Sequence, residues 1–270
     1  MNSSPIGVFD SGVGGLTVFQ AMEHALPDET LVYLGDTARV PYGTKSAETV
    51  VRYSLEAAHF LLRQGVKMLV VACNSASSVA LDIVEREAGV PVLGVIEPGA
   101  KRAAELSEHG RIGIIGTRGT VGSGAYSKAI HELRPGAEVL SQPCPLFVPL
   151  VEEGWTENEI AHRVAETYLT PFKRAEVDTL VLGCTHYPLL GAVIAEVMGP
   201  GVRLVDSAAS VAAEVQQLLQ DNPALAAEGR APDAEHRFYV TDVPDPFQIV
   251  AERFLGRKVE RLEQARIEGE

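Results

Sequence analysis

Two of the three cysteines in this 270-residue chain stand in matching contexts, whereas the third does not. Cys73 and Cys184 each end an apolar run and precede a small polar residue and a predicted helix. A helix N-terminus offers free N–H groups and a partial positive charge, which lower the pKa of a thiol. Either cysteine alone would be interpreted as a buried small hydrophobe, but the matched pair favours thiol chemistry. Cys144, between two prolines, is assigned no role.

Two thiols that face one carbon atom suit a two-base proton transfer. One sulfur, as thiolate, removes an α-proton, while the other, as thiol, returns a proton to the opposite face and inverts the stereocentre. Without an electron-sink cofactor, fixed hydrogen-bond donors must stabilise the charge that develops on the substrate carboxylate. Four polar residues near the cysteines are suitable donors and helix-capping residues: Asn74, Ser75, Ser77 and Thr185.

A predicted strand ends at Asp10 and leads into the glycine-rich turn 12–15. The spacing G-x-G-G differs from the dinucleotide fingerprint G-x-G-x-x-G, and a carboxylate at this turn would repel phosphate. We interpret the turn as part of a site in which Asp10 meets an ammonium group or tunes a nearby thiol. An N-cap is an equally good interpretation of Asp10 taken alone.

His186 follows Cys184 by two residues and is suited to orient a substrate or relay protons, although a surface histidine is the ordinary alternative. A metal site is not expected, because no second Cys/His cluster supplies the remaining ligands.

Three loops are weaker candidates for the site. The Val40-Pro41-Tyr42-Gly43 loop has a tight turn whose backbone can approach a small ligand. Residues 116–120, which include Thr117, offer hydroxyl and N–H groups before a predicted helix, as anion sites do. Residues 151–154 are expected to form a solvated acidic loop, with Glu152 a weak site candidate.

Short apolar runs alternate with amphipathic stretches, which predicts an α/β fold with largely parallel sheets. The predicted strands are 6–10, 31–35, 68–73, 90–95, 111–116, 137–141, 177–184 and 203–206. The predicted helices are 15–26, 46–64, 75–87, 100–107, 123–133, 156–174, 189–198 and 208–220. Beyond these, a loop is expected over 220–234, a strand over 236–241, a helix over 246–255 and a fraying charged tail over 257–270.

A faint internal repeat pairs the run beginning at Ile6 with that at Ile112, and the run before Cys73 with that before Cys184. The repeat predicts two similar α/β lobes, each with a mainly parallel sheet flanked by helices. We assign residues 1–97 and 208–270 to the first lobe and 98–207 to the second.

The formal net charge of −13 and the pI near 5.0 disfavour nucleic-acid binding, because an acidic surface repels phosphate. The N-terminus lacks the features of a signal peptide, and the apolar runs are too short to span a bilayer. A cytoplasmic protein without membrane contact or a disulfide framework is therefore expected.

Several long motifs, in order along nearly the whole chain, resemble those of the glutamate racemases in the aspartate/glutamate racemase superfamily. They are Phe9-Asp10-Ser11-Gly12-Val13-Gly14-Gly15, Asp36-Thr37-Ala38-Arg39-Val40-Pro41-Tyr42-Gly43, Ala72-Cys73-Asn74-Ser75-Ala76-Ser77, Gly116-Thr117 and Gly183-Cys184-Thr185-His186-Tyr187-Pro188-Leu189.

The resemblance implies that Cys73 and Cys184 are the acid/base thiols of glutamate racemisation, assisted by Asp10 and His186. It also implies an active site between the two lobes, a cofactor-free enzyme, a homodimer and a supply of D-glutamate for peptidoglycan. Family members commonly have Thr at the position of Ser75, so one methyl group is lost here. The implied substrate contacts are Asp10, Ser11, Pro41, Tyr42, Gly43, Asn74, Ser75, Thr117, Thr185 and His186.

Two alternatives remain open. An aspartate racemase of the same superfamily would differ in pocket depth, which the sequence does not reveal. A non-catalytic two-lobed amino-acid-binding protein would not need two matched cysteines and would be expected to carry a secretion signal. A decarboxylase relative with one cysteine is disfavoured because both cysteines are present.

Overall fold

A computed structural model describes residues 2–227, 229, 235–259 and 261–267 and places the strands in two parallel sheets. The strands are β1 Ile6–Asp10, β2 Leu31–Gly35, β3 Met68–Val71, β4 Val92–Gly94, β5 Arg111–Gly116, β6 Glu138–Pro143, β7 Thr179–Gly183, β8 Arg203–Asp206, β9 Arg237–Val240 and β10 Leu262–Gln264. The helices are α1 Leu16–Ala25, α2 Ala47–Arg63, α3 Asn74–Ala88, α4 Ile96–Leu106, α5 Arg118–Ser123, α6 Ala125–Leu133, α7 Phe147–Glu152, α8 Glu159–Arg174, α9 Gly191–Met198, α10 Ser207–Asp221 and α11 Pro244–Leu255.

The two sheets share one topology. The first has the order β10-β9-β2-β1-β3-β4 and the second the order β6-β5-β7-β8, so that β2-β1-β3-β4 is repeated as β6-β5-β7-β8. The runs that are similar in sequence, β1 with β5 and β3 with β7, occupy equivalent positions in the two sheets. The predicted fold class of two similar α/β lobes is thus confirmed, whereas the boundaries at 97/98 and 207/208 stay a prediction.

The central strands are continuous apolar runs because helices cover both of their faces. Every residue of β1, β3 and β7 is buried. The helices begin at side-chain caps where polar residues permit: the Ser46 hydroxyl accepts from Thr49 N–H, and the Asn158 side chain accepts from Ala161 N–H. Because the strands are parallel, each one leads into its following helix at its carboxyl end. A ligand-binding site is expected at this edge of a parallel sheet.

Several helix bounds differ from the prediction. The helix predicted over 123–133 corresponds to α6, which begins at Ala125, and the unpredicted helix α5 precedes it. Gly124 separates the two in a left-handed conformation with a φ of 69°. Helix α4 begins at Ile96, four residues before the predicted start, and α11 begins at Pro244. Helix α7 was not predicted, since six residues that include Pro149 show no readable helical period.

The expectation that the charged tail 257–270 frays is wrong for its described part. Strand β10 pairs in parallel with β9, and Ala265 and Ile267 beyond it are buried in the core. These few apolar residues anchor the segment despite the charges around them. Residues 228 and 230–234 of the predicted loop 220–234, and residues 260 and 268–270 of the tail, lie outside the described residues. Within the described chain, no helix has the length and apolarity needed to cross a membrane.

The aromatic cluster of Phe19, Tyr33 and Phe238 ties α1 to β2 and to the late strand β9. The Phe19 ring lies 4.8 Å from the Phe238 ring and 6.1 Å from the Tyr33 ring, centroid to centroid. We expect Phe19→Ala to lower the free energy of unfolding by about 3–5 kcal/mol, because it leaves a cavity in a buried core. Urea unfolding checks this, with Leu133→Ala at an exposed position as the control. A loss no greater than that of the control would contradict the assigned packing.

Candidate active site

The carboxyl ends of the two sheets meet around one small cavity. Cys73 follows β3 as the N-cap of α3, and Cys184 follows β7 directly. Both cysteines are 5% exposed and line the same cavity of about 50 Å³. The cavity walls comprise Ser11, Gly12, Val13, Val40, Pro41, Tyr42, Gly43, Cys73, Asn74, Ser75, Thr117, Val148, Glu152, Cys184, Thr185 and His186. The predicted site residues are therefore brought together, except that Asp10 is not in the cavity wall.

Two glycines permit the sheets' loops to approach this closely. A Cβ atom at Gly14 would lie 2.3 Å from Thr185 Oγ1 and 2.5 Å from His186 Nδ1. A Cβ atom at Gly43 would lie 2.6 Å from Thr117 Cβ. Real Cβ contacts are not this short, so any side chain at either position would push the two halves of the site apart. The glycines of both motifs thus serve close approach between the loops.

The surroundings of Cys73 favour a protonated thiol. Its Sγ lies 3.5 Å from the Ser11 hydroxyl, and the residue is buried apart from its face on the cavity. Burial raises the pKa of Cys73 to about 12, and the nearby negative charge of Asp10 adds to the rise. The expectation that the helix N-terminus lowers the pKa of this thiol is wrong, because desolvation outweighs the backbone N–H groups.

Cys184 has a cation beside it. Its Sγ lies 3.9 Å from His186 Nδ1, and His186 Nε2 lies 3.2 Å from Glu152 Oε1. Burial opposes a charged imidazole, but the hydrogen bonds to Cys184 and Glu152 outweigh burial and raise the pKa of His186 to about 10. The raised pKa favours the imidazolium form of His186, which lies between the sulfur and the carboxylate.

Glu152 is the residue that sequence reasoning underrated. Residues 151–152 form the end of α7, because Val151 and Leu150 of that helix are buried in the core. The Glu152 side chain and the turn at 153–154 are exposed, as predicted for a solvated acidic segment. Arg253 donates a 2.6 Å hydrogen bond to the Glu152 carbonyl oxygen, and this bond further stabilises the end of the helix. The sequence signal that could have indicated this was the apolar stretch directly before the acidic pair at 152–153.

Asp10 is fully enclosed behind the glycine-rich turn. Its Oδ2 accepts a 2.9 Å hydrogen bond from Gly12 N–H, whereas Oδ1 has no hydrogen-bond partner among the residues that the structure describes. Burial raises the pKa of Asp10, and the charge of His186 counteracts the rise. The N-cap interpretation is wrong, since α1 begins at Leu16 and no side chain caps it.

The remaining polar residues either line the cavity or hydrogen-bond to other parts of the structure. Ser75 Oγ lies 2.9 Å from Thr117 Oγ1, so these two hydroxyls bridge the two halves of the site. Tyr42 donates to the carboxylate of buried Asp36, which also accepts a 2.8 Å hydrogen bond from Thr241. Ser77 is not a site donor, because its hydroxyl donates to the Val71 carbonyl oxygen.

The described part of the chain has no group of three or more His, Cys, Asp or Glu side chains arranged to hold a metal ion. The reactive groups of the site are its thiols, its imidazole, its carboxylates and its hydrogen-bond donors.

Comparisons with known proteins agree on one family. Residues 6–215 match the family described as Asp/Glu/Hydantoin racemase. A glutamate racemase of Geobacter metallireducens is 54% identical, over 98% of this chain and 97% of its own. A crystal structure of glutamate racemase from Francisella tularensis in complex with D-glutamate is 40% identical, with a TM-score of 0.92 over 99% of both chains. A glutamate racemase isoform from Bacillus anthracis is 39% identical, with a TM-score of 0.94 over 98% of both chains.

The raised pKa of His186 predicts a pH-dependent contribution of Glu152 to stability. The unfolded histidine titrates near pH ~6.5, so the contribution is complete below that pH and is lost as pH rises through about 10. We expect Glu152→Gln to lower the free energy of unfolding at pH ~6 and to match the wild type more closely near pH ~10. Urea unfolding of both proteins across this range measures the difference. A difference that stays constant with pH would contradict the assigned ion pair.

Proposed function

The chain belongs to the Asp/Glu/hydantoin racemase family, and we propose that it interconverts L- and D-glutamate by a two-base transfer of the α-proton. Cys73 and Cys184 are the proposed acid/base groups. The observation that carries the proposal is that both thiols, which are far apart in sequence, line one small cavity. The glutamate complex of the Francisella relative supports the choice of substrate.

The two sides of the cavity differ in charge, and this difference supports a division of roles. Next to Cys184, the His186 imidazolium stabilises negative charge on the sulfur, which suits the base. Next to Cys73, burial and Asp10 keep the proton on the sulfur, which suits the acid. For the opposite enantiomer the roles exchange, and each sulfur then needs the other's protonation state.

The α-carboxylate of the substrate must be stabilised while the proton leaves. Polar groups in the cavity wall supply donors: the hydroxyls of Ser11, Ser75, Thr117 and Thr185 and the amide of Asn74. Fixed donors in a buried site act strongly on developing charge, because little water screens them and no reorganisation is needed.

The remaining parts of the proposal follow from family membership. We propose that the reaction proceeds without a cofactor and that its D-glutamate serves peptidoglycan synthesis. A homodimer and a cytoplasmic location stay predictions. Aspartate racemisation is the alternative activity, and exchange rates measured with both amino acids distinguish the two.

We expect Cys73→Ala and Cys184→Ala each to reduce racemisation by about 10²–10⁴-fold, the contribution typical of a lost acid/base group. Each variant should still exchange the α-proton of one enantiomer in heavy water, and the two variants should prefer opposite enantiomers. The physical reason is that one sulfur faces each side of the α-carbon. Chiral chromatography and NMR of the α-proton measure the two rates.

Cys144→Ala is the matched control, since Cys144 is also buried but lies outside the cavity wall. It should keep most of the wild-type turnover, and circular dichroism should show that all three variants fold. If either cavity variant kept more than about a tenth of wild-type turnover, a loss of less than one decade, that thiol would not be an obligatory base.

We expect glutamate to be preferred over aspartate. The two sulfurs determine the position of the α-carbon, so a side chain shorter by one methylene leaves distal donors unpaired. An unpaired buried donor costs about 1–3 kcal/mol, which corresponds to a preference of roughly tenfold to a few hundredfold in kcat/KM. Exchange rates measured with both amino acids, each in both enantiomers, check this. Equal or faster exchange with aspartate would refute the glutamate assignment and spare the two-thiol mechanism.

A further inference from the structure

Tyr126 is a buried residue of α6 that reaches the site without entering the cavity wall. Its hydroxyl donates a 2.7 Å hydrogen bond to Asn74 Oδ1, at the start of α3. Helix α6 precedes β6 of the second sheet, whereas α3 follows β3 of the first, so this bond joins the two halves of the site.

The side-chain amide nitrogen of Asn74 has an unused hydrogen-bond donor among the described residues. Asn74 is 2% exposed and lines the cavity, yet its Nδ2 has no hydrogen-bond partner within the described part of the chain. A buried donor without a partner is costly, and native structures seldom keep one unless a ligand or water completes it. An acidic substrate would supply the missing acceptor.

The hydroxyl of Tyr126 decides which side of the amide faces the cavity. A tyrosine hydroxyl has one proton, and its only other carbonyl contact among the described residues, Val95 O, is longer at 3.4 Å. Burial raises the pKa of Tyr126, so the hydroxyl keeps this proton at physiological pH. The proton therefore binds Oδ1 and turns Nδ2 away from the tyrosine. If the amide of Asn74 were flipped, Oδ1 instead of Nδ2 would face the substrate carboxylate.

The tyrosine ring is held rigidly enough for this role. A Cβ atom at Gly99 or at Gly183 would lie 3.1 Å from a ring carbon, so the ring fills the space beside both glycines. Gly183 directly precedes Cys184, which places the ring against the strand that carries the second thiol. The ring therefore packs directly against that strand.

We propose that Tyr126 is a positioning residue that orients the Asn74 amide, so that Nδ2 donates to a carboxylate of the bound substrate. The inference rests on the proposed function for the identity of that substrate, an acidic amino acid. Tyr126 acts only through Asn74 and does not touch the reacting atoms.

The test is a double-mutant cycle on glutamate binding and turnover. Tyr126→Phe should raise the KM and the dissociation constant for glutamate about tenfold, because the amide is then free to flip. In the Asn74→Ala background, the same substitution should change neither constant by more than about twofold, since nothing remains to be oriented. An independent, additive effect in that background would overturn the proposal. Tyr239→Phe is the control, since this buried hydroxyl bonds Gln64 away from the site and its loss should leave the KM unchanged.

A second measurement does not depend on the folding of Tyr126→Phe. The chain has four asparagines, so selective ¹⁵N-asparagine labelling yields four side-chain amide pairs, and Asn74→Ala identifies the relevant one. Saturation of the wild-type protein with glutamate should shift the Asn74 pair strongly, because Nδ2 gains an acceptor. An unshifted pair in the saturated protein would overturn the proposal. Binding with this shift but without racemisation would refute the proposed function alone.

Discussion

The whole site depends on how closely the carboxyl ends of two parallel sheets can approach each other. Chemistry on both faces of one carbon atom requires groups from both sheets within a few ångströms, and side chains on the loops would prevent this. Gly14 packs against Thr185 and His186, and Gly43 packs against Thr117. A Cβ atom at either glycine would clash with these residues. The hydroxyl pair of Ser75 and Thr117 and the bond from Tyr126 to Asn74 then hold the approach in place.

The duplicated topology creates this geometry, but it does not make the two sides chemically equal. Each half supplies one cysteine at the end of an equivalent strand. The first cysteine has Asp10 as its charged neighbour and a raised pKa, whereas the second has the His186 imidazolium, which Glu152 supports. A racemase must remove and return a proton in both directions, and here the two thiols lie beside groups of opposite charge.

The C-terminal segment supports the site from a distance. Strand β9 extends the first sheet beyond β2, and Thr241, just after β9, donates to the same Asp36 carboxylate that holds Tyr42. A loop of the cavity wall is thereby tied to a residue about 200 positions later in the chain. Such long-range ties explain why a segment with so many surface charges is nonetheless ordered over its described residues.

The sequence determined the fold class, the two matched thiols and, together with the family resemblance of its motifs, most of the polar residues of the cavity wall. It could do so because continuous apolar strands, glycine-rich turns and polar residues at strand ends are local patterns. Only the tertiary structure decided the electrostatics. Desolvation raises the pKa of Cys73 against the local helix effect, Glu152 becomes the partner of His186, and Ser77 turns away from the cavity. Burial and contacts between distant segments depend on the packing of both sheets, and no local pattern encodes them.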